Sequence, residues 1–148
     1  MHFSLYVRNG IAFVPTTGRV LPGGAYRDME PVIVAPLSNP EAVRRALRDA
    51  VSRGNPPAPR YPPGGHPQPV VVNYAGVKSW SAFARGTLPW GITERDGNFQ
   101  ILGYRRHPDG WREDPQQKVD LPAGSTVDDA INRMIAILQE AARKYWKT

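Results

Sequence analysis

The sequence predicts an α+β protein in which a mainly antiparallel sheet, built from two β-hairpins and additional short strands, is covered by at least two helices. Three observations support this fold class. Asn-Gly at positions 9–10 and Asp-Gly at positions 96–97 each join two apolar-rich runs, as two-residue hairpin turns do. Two segments, 38–54 and 125–147, repeat apolar residues at helical spacing. The length of 148 residues suits one domain with a sizeable core.

The first hairpin is expected to bury one face and to be partly covered on the other. With positions 9–10 as the loop, Val7 lies opposite Ala12. One face then carries the apolar residues Phe3, Leu5, Val7, Ala12 and Val14, and the other carries Tyr6, Ile11 and Phe13.

Three further strands are predicted. The first is centred on Val32–Ala35, where Pro31 and Pro36 favour a short strand or a sheet edge. The almost continuously apolar run "PVVVNY" at 69–74 indicates the second, and "QQKVDL" at 116–121 indicates the third.

A short helix and a second hairpin are predicted between these strands. "VKSWSAFAR" places Trp80 on one helical face with Val77 and Phe83. Because so short a helix is unstable alone in water, we expect Trp80 to be buried. In the second hairpin, Ile92 is expected opposite Ile101.

The two long helices carry caps and apolar stripes. Ser38 or Asn39 caps the first helix, which ends at Gly54, and Ser125 or Thr126 caps the second. The stripes are Val43, Ala46, Leu47, Ala50 and Val51, and Val127, Ala130, Ile131, Met134, Ile135, Leu138, Ala141, Ala142 and Tyr145.

Two parts of the chain share an order of features. "PGGAYRDMEPVIVAPLSNPEAVRRAL" and "PDGWREDPQQKVDLPAGSTVDDAINRMI" each have an aromatic-Arg-acid triplet, a valine strand, a proline, a cap and a helix. Duplication and convergence of common hairpin–strand–helix patterns both explain this order.

The stretch "GNPPAPRYPPGGHPQP", residues 54–69, is either a linker between two domains or a long loop on one. Seven of its sixteen residues are proline and three are glycine. Neither long helix has a sufficient core of its own, since a domain of about 60 residues is marginal. We therefore predict one domain, 1–148, with 54–69 as a surface loop and a candidate contact surface.

Several function classes have no signal in the sequence. There is no cysteine, which excludes disulfides and thiolate metal sites and is typical of a reducing cytoplasm. No signal-peptide pattern and no membrane-spanning run is present. The three histidines form no ligand cluster, and no nucleotide or nucleophile motif occurs. We expect a cytoplasmic protein that has no cofactor, no metal and no enzymatic activity, and does not bind membranes.

The net charge of +6 and the ratio of 15 arginines to 4 lysines indicate an anionic partner or an arginine-rich composition without a role. Residues 1–69 carry 8 basic and 4 acidic groups, and residues 70–148 carry 11 and 9. Acids therefore interleave with bases, whereas nucleic-acid-binding proteins cluster their basic charge.

Two groups of residues are candidates for partner binding. The first is the turn containing Arg105, Arg106, His107, Trp111 and Arg112, and the second is the arginine face of the first long helix with Arg44, Arg45 and Arg48. Arginine binds anionic groups and tryptophan is frequent at interface hot spots. The alternatives are that Trp111 packs in the core and that both arginine sets are solvated.

The stretches "LYVRNGIAFVPTTGR", "YAGVKSWSAFAR" and "RRHPDGWRED" give the chain a resemblance to the small bacterial immunity proteins of contact-dependent or polymorphic toxin systems. The resemblance implies binding to a partner protein, a toxin domain whose activity it neutralises. Since this chain is basic, it also implies an acidic toxin surface. The alternative function is nucleic-acid binding through an arginine-rich surface.

Overall fold

Strands from both halves of the chain join one sheet, which three helices accompany. The structure is a computed structural model and describes residues 1–61, 63–64, 67–108 and 110–145. Within these residues the elements are β1 (His2–Arg8), β2 (Ile11–Val20), β3 (Ala25–Pro36), α1 (Pro40–Arg53), β4 (Pro57–Ala58), a 3₁₀ helix (Val70–Tyr74), α2 (Trp80–Ala84), β5 (Thr87–Arg95), β6 (Asn98–His107), β7 (Gly110–Asp120) and α3 (Val127–Tyr145). The predicted α+β class is confirmed.

The sheet has the order β3-β2-β1-β5-β6-β7, and every neighbouring pair on this path is antiparallel. The strands β1 and β5 meet at its centre. Each half of the chain is a three-stranded meander followed by a helix. Both meanders carry an irregularity in the same place, between Val14 and Thr16 in the first and between Leu102 and Tyr104 in the second. The shared order of features in the sequence thus corresponds to a repeated order of elements.

Both hairpin turns have the predicted geometry. Asn9 and Gly10 have φ angles of 51° and 74°, and Asp96 and Gly97 have φ angles of 53° and 81°. Two successive positive φ angles define the turn that matches the twist of adjacent strands. The predicted register follows, with Val7 opposite Ala12 and Ile92 opposite Ile101.

The two long helices cover one face of the sheet, called here the helical face. Asn39 caps α1 by accepting a hydrogen bond from the backbone of Ala42. Thr126 and Asp129 cap α3 reciprocally, since each side chain accepts from the backbone N–H of the other. The main core contains Leu5, Val7, Ala12, Val14, Leu47, Ala50, Ile92, Ile101, Ile131, Met134 and Leu138. Most residues of the two predicted stripes therefore form this core or pack against it. The side chain of Tyr145 and positions 146–147 of the predicted helix lie outside the described part of the chain.

The proline-rich stretch is attached to the sheet at its beginning. Pro57–Ala58 form β4, which runs parallel to β2 beside Arg19 and Val20. The backbone N–H of Arg19 donates to the carbonyl of Pro56 at 2.8 Å. Proline lacks the N–H but keeps its carbonyl, so a prolyl segment still accepts ladder hydrogen bonds. Positions 62, 65 and 66 of the predicted 54–69 loop lie outside the described residues.

Two local predictions were wrong. The run at 70–74 is a 3₁₀ helix rather than a strand, with Val71 and Val72 buried against Phe13 and Phe83. Periodicity cannot distinguish short buried segments of different backbone type. In the short helix α2, Phe83 is fully buried, whereas Trp80 is only partly covered. Packing does stabilise this helix, but through Phe83.

No helix in the described part of the chain is long and apolar enough to cross a membrane.

Candidate functional site

The face of the sheet opposite the long helices forms a concave cleft. Side chains alternate along β1, so Leu5 and Val7 point to the helical face while Ser4 and Tyr6 point to the other. The rings of Tyr6 on β1 and Trp111 on β7 are 6.4 Å apart between centroids. A flat sheet would separate these strands by roughly 14 Å, three spacings of about 4.8 Å. The two rings therefore reach toward each other across the intervening strands.

Six aromatic side chains line this cleft, whose volume is about 540 Å³. We call it the aromatic cleft and define it by Tyr6, Tyr26, Tyr61, Trp80, Tyr104 and Trp111. A wider depression of about 910 Å³ continues past His2 along the second hairpin. The cleft has the size of a ligand site for a small molecule or a large side chain.

A second core, formed by Phe13, Val32, Val71, Val72 and Phe83, supports one wall of the aromatic cleft. Trp80 meets Trp111 edge to face at 5.1 Å and 88°, and it stacks on Phe83 at 5.6 Å. Ser79 caps α2 by accepting a hydrogen bond from the backbone of Ala82 at 3.1 Å. Since Phe83 is buried among apolar side chains, it fixes the position of Trp80 at the cleft.

A carboxyl group lies within these aromatic walls. Asp28 Oδ2 accepts a hydrogen bond from the Tyr6 hydroxyl at 2.6 Å. Burial raises the pKa of Asp28, an effect that the Tyr6 hydrogen bond opposes. Burial, together with the neighbouring Asp28 carboxylate, raises the pKa of Tyr6 well above its ordinary value. Shifted carboxyl groups in clefts are typical of functional sites.

Beside Tyr6 and Asp28, the imidazole of His2 is hydrogen-bonded to two hydroxyl groups. His2 Nδ1 lies 3.0 Å from Thr93 Oγ1, and His2 Nε2 lies 3.3 Å from Ser4 Oγ. Burial and the positive N-terminus lower the pKa of His2. A Cβ on Gly91 would lie 2.7 Å from the His2 ring, so glycine at 91 makes room for the imidazole. In a hydrolytic triad a carboxylate accepts a hydrogen bond from the histidine ring and orients it. At His2 the corresponding neighbour is the Thr93 hydroxyl, so this group differs from a triad.

The described residues contain no group of three or more His, Asp or Glu side chains placed to hold a metal ion.

The first predicted binding group is divided between two sides of its hairpin. Arg106 pairs with Trp111 and Arg105 pairs with Arg112. Because side chains alternate, Arg106 and Trp111 lie on the cleft side while Arg105 and Arg112 face the opposite side. His107, opposite Gly110, also faces away from the cleft. Trp111 is partly buried, and its enclosed indole N–H has no hydrogen-bond partner among the described residues.

The second predicted group lies on the helical face, across the sheet from the cleft. Arg44 Nε donates to Asn132 at 2.9 Å, and Arg48 Nε donates to Asp128 at 3.1 Å. These two arginines link α1 to α3, whereas Arg45 is exposed. The structure therefore does not bring the two predicted groups together on one surface.

Sequence reasoning did not assign Tyr6, Asp28 or the other tyrosines to a site. Two weak signals existed. Tyr6 was expected on the less covered face of the first hairpin, and Asp28 belongs to an aromatic-Arg-acid triplet that recurs at Trp111. Neither signal shows that the triplet at 26–28 on β3 and the triplet at 111–113 on β7 contribute to one cleft, although their strands lie at opposite ends of the sheet.

Comparison with known proteins identifies a similar fold. No family model matches the sequence, and no curated protein matches it. Among solved structures, the chain is similar to the protein of unknown function NMB0488 from Neisseria meningitidis, with a TM-score of 0.64 and 12% sequence identity. The match covers 95% of this chain and 93% of that one. At this identity the likeness concerns the fold alone.

Replacing Asp28 by asparagine is expected to stabilise the protein at pH 7, and the gain should shrink as the pH falls. The raised pKa means that the folded protein holds this proton more tightly than the unfolded chain does. Stability from this group is therefore fully present below the unfolded pKa of about 3.9 and is lost as the pH rises through the folded pKa. Asparagine retains an oxygen for Tyr6 and does not titrate.

Urea unfolding of both proteins between pH 4 and pH 8 checks this expectation. His2, Tyr6 and Tyr104 face the same cleft. The raised pKa values of Tyr6 and Tyr104 keep both tyrosines protonated in this pH range, so they contribute no pH dependence, and His2 is present in both proteins. Asp49→Asn, on the exposed side of α1, is the control for removing one carboxylate and should change the free energy of unfolding by less than about 0.5 kcal/mol. A stabilisation by Asp28→Asn that grows on acidification would contradict the assignment.

Proposed function

We propose that this protein binds another protein through the face that contains the aromatic cleft, and that it acts as an immunity or accessory factor that neutralises a partner toxin. The observation that carries the proposal is the concentration of tyrosine and tryptophan in one concave surface. Tyrosine, tryptophan and arginine dominate interface hot spots, because they combine large apolar area with a polar group.

Three basic side chains lie near this aromatic centre. Arg106 lies beside Trp111 on the cleft side of its hairpin. The Arg27 guanidinium lies over the ring of Tyr61, which lines the cleft, and Arg60 beside Tyr61 in the chain is exposed. With a net charge of +6, this arrangement favours a partner whose contact surface is mainly acidic.

Nucleic-acid binding remains the alternative, and the distribution of arginines gives it less support. Arg44 and Arg48 connect two helices, and Arg105 and Arg106 point to opposite sides of one hairpin. A nucleic-acid surface would need these charges on one side. It would also lose affinity steeply with salt, because each phosphate contact releases counterions. Absence of any mobility shift with RNA or DNA at about 50 mM salt would exclude it.

Replacing Trp111 by alanine is expected to weaken protection strongly in a co-expression assay with any toxin-like protein encoded beside this gene. Truncating a hot-spot residue costs at least about 2 kcal/mol of binding free energy, which is roughly a 30-fold loss of affinity. Growth of the co-expressing cells and the affinity of the purified complex are the measurements. Trp111→Phe, which keeps an aromatic ring, should retain most of the binding.

The matched control is Arg45→Ala, because Arg45 is exposed on the helical face and distant from the cleft. It should leave protection and affinity unchanged. If the unmodified protein neither forms a complex with an adjacent toxin nor relieves its growth inhibition, the immunity function is wrong. If Arg45→Ala is as damaging as Trp111→Ala, the docking surface is on the helical face instead.

A further inference from the structure

We propose that the aromatic cleft binds the guanidinium group of an arginine side chain that the partner protein presents. The proposal rests on the proposed function and specifies the chemistry at the centre of its interface. It follows from one juxtaposition: the carboxylate of Asp28 lines the same cleft as the rings of Tyr6, Trp80 and Trp111, and it is hydrogen-bonded to Tyr6.

The carboxylate lacks a positive counterpart within the described part of the chain. One oxygen, Oδ2, accepts a hydrogen bond from the Tyr6 hydroxyl at 2.6 Å, and Oδ1 accepts none from any described residue. No described lysine, arginine or histidine forms an ion pair with Asp28. A carboxylate removed from water is costly unless a charge and hydrogen bonds compensate it. A bound cation would supply both, and Asp28 lines the cleft from which that cation would approach.

The aromatic walls favour a cation of planar shape. The faces of tryptophan and tyrosine attract positive charge, and a guanidinium also stacks on them through its own plane. The fold already contains one such contact at the cleft rim, where the Arg27 guanidinium carbon lies 4.2 Å from the centroid of Tyr61. A second guanidinium would approach Asp28 from the open side of the cleft and lie against the ring faces that line it.

Other occupants fit these observations less well. An ammonium group balances the charge but offers no plane for stacking. A carboxylate or phosphate would be repelled by Asp28, and a neutral apolar group would leave it unpaired. The volume of about 540 Å³ accommodates an arginine side chain together with part of its backbone. We therefore assign arginine to the one partner residue that enters the cleft. The partner surface around that arginine is mainly acidic and faces the basic side chains near the cleft.

Titration with N-acetyl-arginine amide, followed by NMR of the tryptophan indole N–H groups, tests this site. We expect saturable shifts at Trp80 and Trp111. N-acetyl-citrulline amide has nearly the same shape without the charge and should cause none, and N-acetyl-lysine amide should bind more weakly. Asp28→Asn should weaken arginine binding about tenfold or more, because a charge-assisted hydrogen bond becomes a neutral one. Asp49→Asn should bind as the unmodified protein does.

Equal shifts with citrulline, or equal arginine affinity in Asp28→Asn, would overturn the site. Equal affinity for lysine would overturn the assignment of a guanidinium. The experiments distinguish failure of the guanidinium site from failure of the proposed immunity function. A toxin complex that tolerates Asp28→Asn removes this inference and leaves the proposed function intact. Arginine binding without any neutralised toxin establishes the site and removes the immunity function.

Discussion

Replacing Phe83 by alanine is expected to lower the free energy of unfolding by about 3–5 kcal/mol, the range for large aromatic residues in cores. Phe83 has no exposed surface and lies in the second core with Val71 and Val72. Its ring also meets Tyr6 at 5.7 Å and Phe13 at 5.9 Å. The loss combines the transfer free energy of the ring with the cavity that would remain.

Urea unfolding with an unchanged slope measures this loss, since a constant slope shows that the same surface is exposed on unfolding. Phe83→Leu retains most of the volume and is the matched control, with an expected loss below about 1.5 kcal/mol. Trp80→Ala should cost less than Phe83→Ala, because part of the Trp80 ring faces the cleft. A loss below about 1 kcal/mol for Phe83→Ala would show that the second core unfolds independently of the sheet.

Replacing Asn55 by alanine is expected to cost about 2–3 kcal/mol, a large effect for a partly buried polar residue. The strands β1 and β2 pair only near their shared turn, from Tyr6–Arg8 to Ile11–Phe13. Beyond these paired residues, the side chain of Asn55 lies between β1 and β2. Its Oδ1 accepts from the His2 amide at 3.2 Å, and its Nδ2 donates to the carbonyls of His2 and Thr17 at 2.7 and 2.8 Å. Alanine would leave all three backbone groups without these partners.

Two measurements check the role of Asn55. In Asn55→Ala the denaturation midpoint should fall. Hydrogen exchange of the His2 backbone amide should also become faster than in the unmodified protein, and by a larger factor than for its neighbours in β1. Asn73→Ala is the control, because Asn73 is exposed in the 3₁₀ helix and should change stability by less than about 0.5 kcal/mol. Unchanged protection of the His2 amide would show that the side chain of Asn55 does not connect the strands.

Asn55 also illustrates why the proline-rich stretch could not be interpreted from its own composition. Seven prolines and three glycines predict an irregular surface loop, and they carry no information about what the loop contacts. The structure attaches its beginning to β1 and β2 through Asn55 and β4, and places Tyr61 at the cleft. Asn55 can attach the loop because β1 and β2 diverge beyond their turn, and this divergence depends on the whole sheet rather than on the loop sequence.

Local signals in the sequence determined the hairpin turns, the strand register beside them and the two long helices. Asn9-Gly10 and Asp96-Gly97 adopt positive φ angles because Asn, Asp and Gly tolerate the left-handed region, and a two-residue turn then sets the register. The helices follow from near-neighbour spacing and caps such as Asn39. Tertiary structure alone decided the backbone of 70–74 and the composition of the aromatic cleft. The cleft brings Tyr6, Asp28 and Trp111 together from β1, β3 and β7, and a sequence does not reveal the strand order, because that order depends on long-range pairing between the two halves.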